Sequence, residues 1–169
     1  MSVGTKSTIA IRRAATEDED AIWQIFHAVV EPGDTYAYPS DLSRRDALAL
    51  WMAPAAHTYV ACDGESIVGT YWIKANQPGR GSHVANAAFM VAPSAQGRGV
   101  GRRMGEHCLD EARCLGFRAM QFNLVVSTNE PAVALWKKLG FDIIATVPEA
   151  FDHRTLGLVD AYVMYRSLL

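Results

Sequence analysis

The stretch Gln96-Gly97-Arg98-Gly99-Val100-Gly101 constrains the fold of this 169-residue chain more than any other. It follows an apolar, strand-like run, Ala87-Ala88-Phe89-Met90-Val91. It opens a segment of helical periodicity with Val100, Met104, Cys108, Ala112 and Leu115 facing inward and Gly116 as its stop. A strand, a glycine-rich turn and a helix N-terminus in series present unpaired backbone N–H groups at the positive end of a helix dipole, which is an anion site. Gly99 and Gly101 lack Cβ, so a phosphate can approach the main chain closely. The dinucleotide fingerprint Gly-x-Gly-x-x-Gly fails in both registers, its last position falling on Arg102 or Met104. The Gly-Lys-Ser/Thr of a P-loop is absent.

A second segment, Asn129-Glu130-Pro131-Ala132-Val133-Ala134-Leu135-Trp136-Lys137-Lys138-Leu139-Gly140-Phe141, reads as a complete helix. Thr128 or Asn129 caps it, Pro131 falls in its first turn, and Gly140 sits where a left-handed C-terminal glycine belongs. Lys137 and Lys138 suit the negative end of its dipole. The two segments together resemble the GCN5-related N-acetyltransferase (GNAT) family. The first matches its pyrophosphate motif Gln/Arg-x-x-Gly-x-Gly/Ala. The second matches its Asn-x-x-Ala-x-x-Leu-Tyr-x-x-Leu-Gly-Phe signature, with Trp136 in place of the tyrosine. The likeness extends from about Arg12 to the C-terminus.

Coarse patterning is compatible with that resemblance. Strands are expected at Thr8–Arg13, His57–Cys62, Ser66–Lys74, His83–Ala92, Arg118–Val126, Phe141–Val147 and Asp160–Arg166. A first helix follows the capping box Thr16-Glu17-Asp18-Glu19, and Ser43 caps a short second one that Pro54 ends. Consecutive strands in the middle of the chain exclude a doubly wound α/β fold. The resemblance implies a mixed α/β fold: a mostly antiparallel sheet flanked by about four helices, with parallel fourth and fifth strands that splay apart to admit acetyl-CoA. One N-acetyltransferase domain over 1–169 is expected, with 1–7 a flexible segment. A net charge of −2 argues against a nucleic-acid footprint. Cys62, Cys108 and Cys114 are odd in number, have neither Cys-x-x-Cys nor zinc-ligand spacing, and read as reduced thiols. With no signal peptide and no apolar run near about 20 residues, the expected location is cytoplasmic, away from membranes.

Acetyl transfer needs a held donor, a neutral amine, a stabilised oxyanion and a protonated leaving thiol. The resemblance implies acetyl-CoA as co-substrate, its pyrophosphate on the amides of Gln96, Gly97, Arg98, Gly99, Val100, Gly101 and Arg102. Arg98, Arg102 and Arg103 are phosphate ligands or a solvated face, since Arg102 can also pair with Glu106 four residues on. The resemblance gives a backbone N–H at Val91 the thioester carbonyl, a donor worth about 3–4 kcal/mol. It gives Asn129 the pantetheine arm or thiol, beside its capping role. Trp136 offers an indole N–H but no usable acid, so packing is its expected role. A CoA thiol of pKa about 8.5 can leave without one.

An amine of pKa about 10.4 holds its proton at pH 7 by about 4–5 kcal/mol, so a base is needed. The candidates are Glu31, Asp34, His83, Asp152 and His153, with Glu31 and His83 leading because the family places its substrate there. Asn86 and Asn123 lie on strands, where asparagine needs a partner, so each is either a satisfied amide or a ligand. Their surroundings resemble the yeast azetidine-2-carboxylate (proline-analogue) N-acetyltransferases. That implies a role in orienting an amino-acid-like substrate or the acetyl group. Tyr36 and Tyr38 either wall the acceptor pocket or pack over the core. No motif requires a metal. The expected partner is a small-molecule amine, with a regulator that only binds CoA, or an enzyme acting on proteins, as the alternatives. A homodimer through an edge strand is compatible with the family.

Overall fold

Alternation along the middle strands sends successive side chains to opposite sides of a sheet, and the computed structural model, which describes residues 8–169, has a core on each side. The expected flexible segment 1–7 lies outside the described residues. The chain runs β1 (Ala10–Arg13), α1 (Glu19–Val30), α2 (Arg44–Trp51), β2 (His57–Asp63), β3 (Ser66–Ala75), β4 (Val84–Val91), α3 (Val100–Cys114), β5 (Ala119–Val126), α4 (Glu130–Lys138), β6 (Asp142–His153) and β7 (Gly157–Ser167). Among the described residues seven strands form one sheet in the order β1-β2-β3-β4-β5-β7-β6, antiparallel except at β4–β5. Tyr59, Ala61, Tyr71 and Ile73 point to the side of α3, with Met104 and Cys108. Val60 and Trp72, one residue out of phase, point to α1 and α2, with Phe26 and Trp51. This is the mixed α/β architecture that the two motifs implied.

The parallel pair is brief. Val84 faces Ala119 and Ala85 faces Met120, and there the β4–β5 ladder ends. Beyond it β5 continues along β7, whose register shifts between Phe122 and Val125, leaving Asn123 and Leu124 in an irregularity. Bulges of this kind sharpen local twist and bend a strand, and this one sits where β5 leaves β4. The splay follows.

Three local expectations change. The start of α1 is not a Thr16–Glu19 capping box: a 3-10 turn over Thr16–Asp18 precedes the helix, and the Asp18 carboxylate accepts the Ala15 N–H at 2.8 Å. It also receives both ends of the Arg12 guanidinium, at 2.7 and 2.8 Å. A bidentate, charge-assisted partner on β1 outweighs a neutral local cap. Second, β6 runs to His153, so Asp152 and His153 lie in a strand rather than a loop. Pro148 and Glu149 (φ 52°) sit where the register shifts, and Asp160 accepts the Glu149 N–H at 3.0 Å. An edge strand tolerates that proline. Third, Leu115 is exposed past the end of α3 rather than inward. Ser43 caps α2 as expected, accepting the Asp46 N–H at 3.1 Å. Among the described residues no helix is long and apolar enough to cross a membrane.

Asp18 is buried, and the hydrogen bonds from Arg12 hold its carboxyl below the ordinary 3.8. Its stabilising contribution is therefore present above that value and lost as pH falls through the lowered pKa. Asp18→Asn should destabilise the protein by about 1–3 kcal/mol at pH 7. In thermal melts the gap to wild type should close below about pH 4; a gap independent of pH would contradict the assignment.

Candidate active site

Antiparallel ladders alternate between hydrogen-bonded and non-bonded pairs, and the phase of β3–β4 decides what the cleft contains. The Ala92 N–H bonds the Val68 carbonyl and the Asn76 N–H bonds the Val84 carbonyl, each at 2.8 Å. Gly69–Val91, Tyr71–Phe89 and Ile73–Ala87 are consequently the non-bonded pairs. The backbone groups of Val91, Phe89 and Ala87 thus point away from β3, to the side β5 has vacated. Buried backbone groups require partners. At Ala87 the N–H is taken by Asn86 Oδ1 at 2.8 Å. At Phe89 the Tyr36 hydroxyl does both jobs, accepting the N–H at 3.0 Å and donating to the carbonyl. The Val91 N–H has no protein partner among the described residues.

These groups face a cleft of about 840 Å³. At one end lies the glycine turn. Gly97 (φ 74°) and Gly99 (φ 79°) are left-handed, the region that glycine tolerates best. Gly99 caps α3 without a side chain, and no acidic residue occupies the first turn, so the leading N–H groups of α3 are open to an anion. Val91, Gln96, Gly97, Gly99, Val100, Gly101, Arg102 and Asn129 all line the cleft. Arg102 also pairs with Glu106 at 2.8 Å, and Asn129 also caps α4, accepting the Ala132 N–H at 3.4 Å. Arg98 does not line the cleft and instead pairs with Asp63.

The other end is aromatic and amide-rich. Tyr36 and Tyr38 stack with ring centres 5.9 Å apart, and Trp72 lines the cleft beside them with its Nε1 buried. Burial raises the pKa of both phenols, so they stay protonated. Asn86 and Asn123 line the same region. Asn123, at the bulge, donates to Asn76 Oδ1 at 2.7 Å and accepts from Gln121 Nε2 at 3.1 Å. Trp136 is a packing residue, 4.7 Å from Phe89 and 4.8 Å from Phe122 by ring centres.

The cleft leaves out the leading base candidates. Glu31 is exposed at the end of α1, its carbonyl accepting from Arg154 at 3.1 Å. His83 is exposed before β4, at the end where β4 and β5 are still paired, and its carbonyl takes the Arg118 N–H at 2.9 Å. Strand direction thus puts His83 away from the splay. Asp34, Asp152 and His153 are likewise outside the lining. Among the described residues the lining has no carboxylate, imidazole or thiol, and its only neutral side-chain acids are Tyr36 and Tyr38. No group of three or more described His, Cys, Asp or Glu residues is arranged to hold a metal.

The sequence profile of the acetyltransferase (GNAT) family matches residues 19–141. The chain is 35% identical to the L-amino acid N-acetyltransferase AaaT of Escherichia coli over 95% of its own length and 98% of that protein's. It is 30% identical to the N-acetyltransferase aca1 of Schizosaccharomyces pombe, over 96% of this chain and 72% of that one. Among solved structures, a GCN5-related N-acetyltransferase from Kribbella flavida superposes with a TM-score of 0.92 at 46% identity, covering 96% of this chain and 99% of that one. The chain belongs to the GNAT family and is an acetyl-CoA-dependent acetyltransferase.

Gly99→Ala tests the anion end. A left-handed alanine is strained by about 1–2 kcal/mol, so the free turn relaxes and binding must restore it. The Kd for acetyl-CoA should rise about tenfold by calorimetry. An unchanged Kd would remove this turn from the site.

Proposed function

We propose that this acetyltransferase moves the acetyl group of acetyl-CoA to the primary or secondary amine of an amino acid or proline analogue, by direct transfer within a ternary complex. The observation that carries this reading is the row of backbone groups left by the splay, which leads from an anion site to a small aromatic and amide-lined chamber. The likeness to an L-amino acid N-acetyltransferase along nearly the whole of both chains supports the choice of acceptor.

In this reading the pyrophosphate rests on the amides of the Gln96–Arg102 turn and the first turn of α3, with Arg102 adding charge at the rim. The pantetheine arm runs beside β4 in the place of a strand. The open Val91 N–H meets it first, taking a carbonyl of the arm. Successive cleft-facing residues of a strand are about 6.6–6.8 Å apart. The acetyl carbonyl, at the end of the arm, then lies one step on, near Phe89 and the aromatic chamber. This moves the carbonyl donor from Val91 to Phe89. Asn129 steadies the arm near its thiol end. Asn86, whose Oδ1 is committed to Ala87, offers its amide protons to the acceptor, and Asn123 borders the same space.

Attack by the neutral amine forms the C–N bond and a tetrahedral oxyanion; collapse breaks the C–S bond and releases a thiolate that solvent can protonate. The amine proton leaves through water, because among the described residues no carboxylate or imidazole lines the cleft. No cysteine among the described residues lines it either, which suits direct transfer: Cys108 is buried on the inner face of α3 and its pKa is raised well above 9.0 by burial.

Thiol release from acetyl-CoA should be seen with free amino acids or proline analogues and should exceed that with peptides and polyamines. Asn86→Ala and Asn123→Ala should each lower kcat about tenfold or more, the scale of one lost hydrogen bond, while the Kd for acetyl-CoA changes little. Preferential turnover of peptides, or undiminished turnover in both variants, would contradict the acceptor assignment.

A further inference from the structure

Tyr36 holds the cleft's most consequential hydrogen bonds, and its loop lies 53 residues from the strand it serves. Its hydroxyl occupies the position facing the Phe89 N–H, with the oxygen 3.0 Å from the nitrogen, and its proton goes to the Phe89 carbonyl. A thioester carbonyl seated on that N–H would take over the hydroxyl's role as acceptor. It could not take the hydroxyl's proton away: displaced by about one oxygen diameter, the phenol keeps its proton to donate and no longer accepts from the Phe89 N–H. Burial raises the pKa of Tyr36, which keeps that proton in place. Among the described residues the lining has no other neutral acid except Tyr38, and Trp136 occupies the position of the family's signature tyrosine.

We infer that the Tyr36 hydroxyl is a catalytic hydrogen-bond donor to the acetyl carbonyl, closing with the Phe89 N–H a two-donor oxyanion site. When acetyl-CoA binds, the carbonyl oxygen accepts from the Phe89 N–H, Tyr36 turns its O–H from the Phe89 carbonyl to that oxygen, and an amide N–H of the pantetheine arm takes the Phe89 carbonyl in its place. As the amine attacks, negative charge gathers on an oxygen facing one amide and one phenol proton. No proton changes hands, so the raised pKa is no obstacle. Preorganised donors act on charge that develops only in the transition state, so the effect falls on kcat. The inference rests on the acetyl-transfer reading above and deepens it.

The test combines kinetics with infrared spectroscopy of acetyl-CoA carrying a 13C-labelled acetyl carbonyl. In wild type the bound carbonyl stretch should shift to lower frequency than in water. Tyr36→Phe should lose a large part of that shift and lower kcat about 10²–10³-fold, the scale of one oxyanion donor. Its Kd for acetyl-CoA should be unchanged or tighter, because the competing hydroxyl is gone. 3-Fluorotyrosine at position 36, a stronger donor in an unaltered fold, should deepen the shift, and it serves if Tyr36→Phe folds poorly. An equal carbonyl frequency in all three proteins, with kcat within threefold of wild type, would overturn the role of Tyr36 while leaving the transfer reading intact. Absence of both turnover and any carbonyl shift in wild type would overturn the transfer reading itself, and the Tyr36 role with it.

Discussion

Where β4 and β5 part, one edge of β4 loses its ladder partner inside the molecule. A buried N–H or C=O without a partner costs about 1–3 kcal/mol, so the parting must be compensated residue by residue. The chain does this unevenly. Asn86 serves Ala87, Tyr36 serves Phe89, and Val91 is left open next to the glycine turn. The cleft therefore has a gradient, from side-chain-satisfied backbone at the acceptor end to free donors at the anion end. An extended acyl-CoA arm with its own carbonyls is the complement of that edge.

Close packing holds the two sides of the cleft in place. Gly105 lets α3 and α4 approach: a Cβ there would meet Leu139 at 2.5 Å and the Trp136 ring at 3.2 Å. Trp136 in turn packs against Phe89 on β4 and Phe122 on β5, spanning the splay from beneath. The residue that replaces the signature tyrosine thus braces the two strands that open the site. On the far side of β4, Trp51 donates to Thr70 at 3.0 Å, and Thr70 to the Tyr59 carbonyl at 2.8 Å, fastening α2 to the sheet.

What could be read from the sequence was local. The glycine turn, the α3 start, the Asn129 cap and the Gly140 stop each depend on residues within a few positions of one another, and all are in place. The Asn86–Asn123 pairing in one cleft came from the family resemblance together with strand order. What the sequence did not disclose depends on reach across the chain. Arg12 captures Asp18 from β1, Tyr36 crosses to Phe89, and Trp72 reaches the cleft from β3 with no motif to mark it. Glu31 and His83 carried the right chemistry, yet helix end and strand direction place both outside the lining. The bulge at Asn123 and Leu124 has no glycine or proline to announce it.

If the vacated edge of β4 seats the acyl-CoA arm, the amide of Val91 lies directly against it. Hydrogen exchange at that N–H, followed by NMR with and without saturating CoA, separates the outcomes. Marked slowing at Val91 is expected on binding, alongside changes in the first amides of α3. Binding that protects α3 but leaves Val91 exchanging as in the free protein would contradict that seating, because the arm would then run elsewhere.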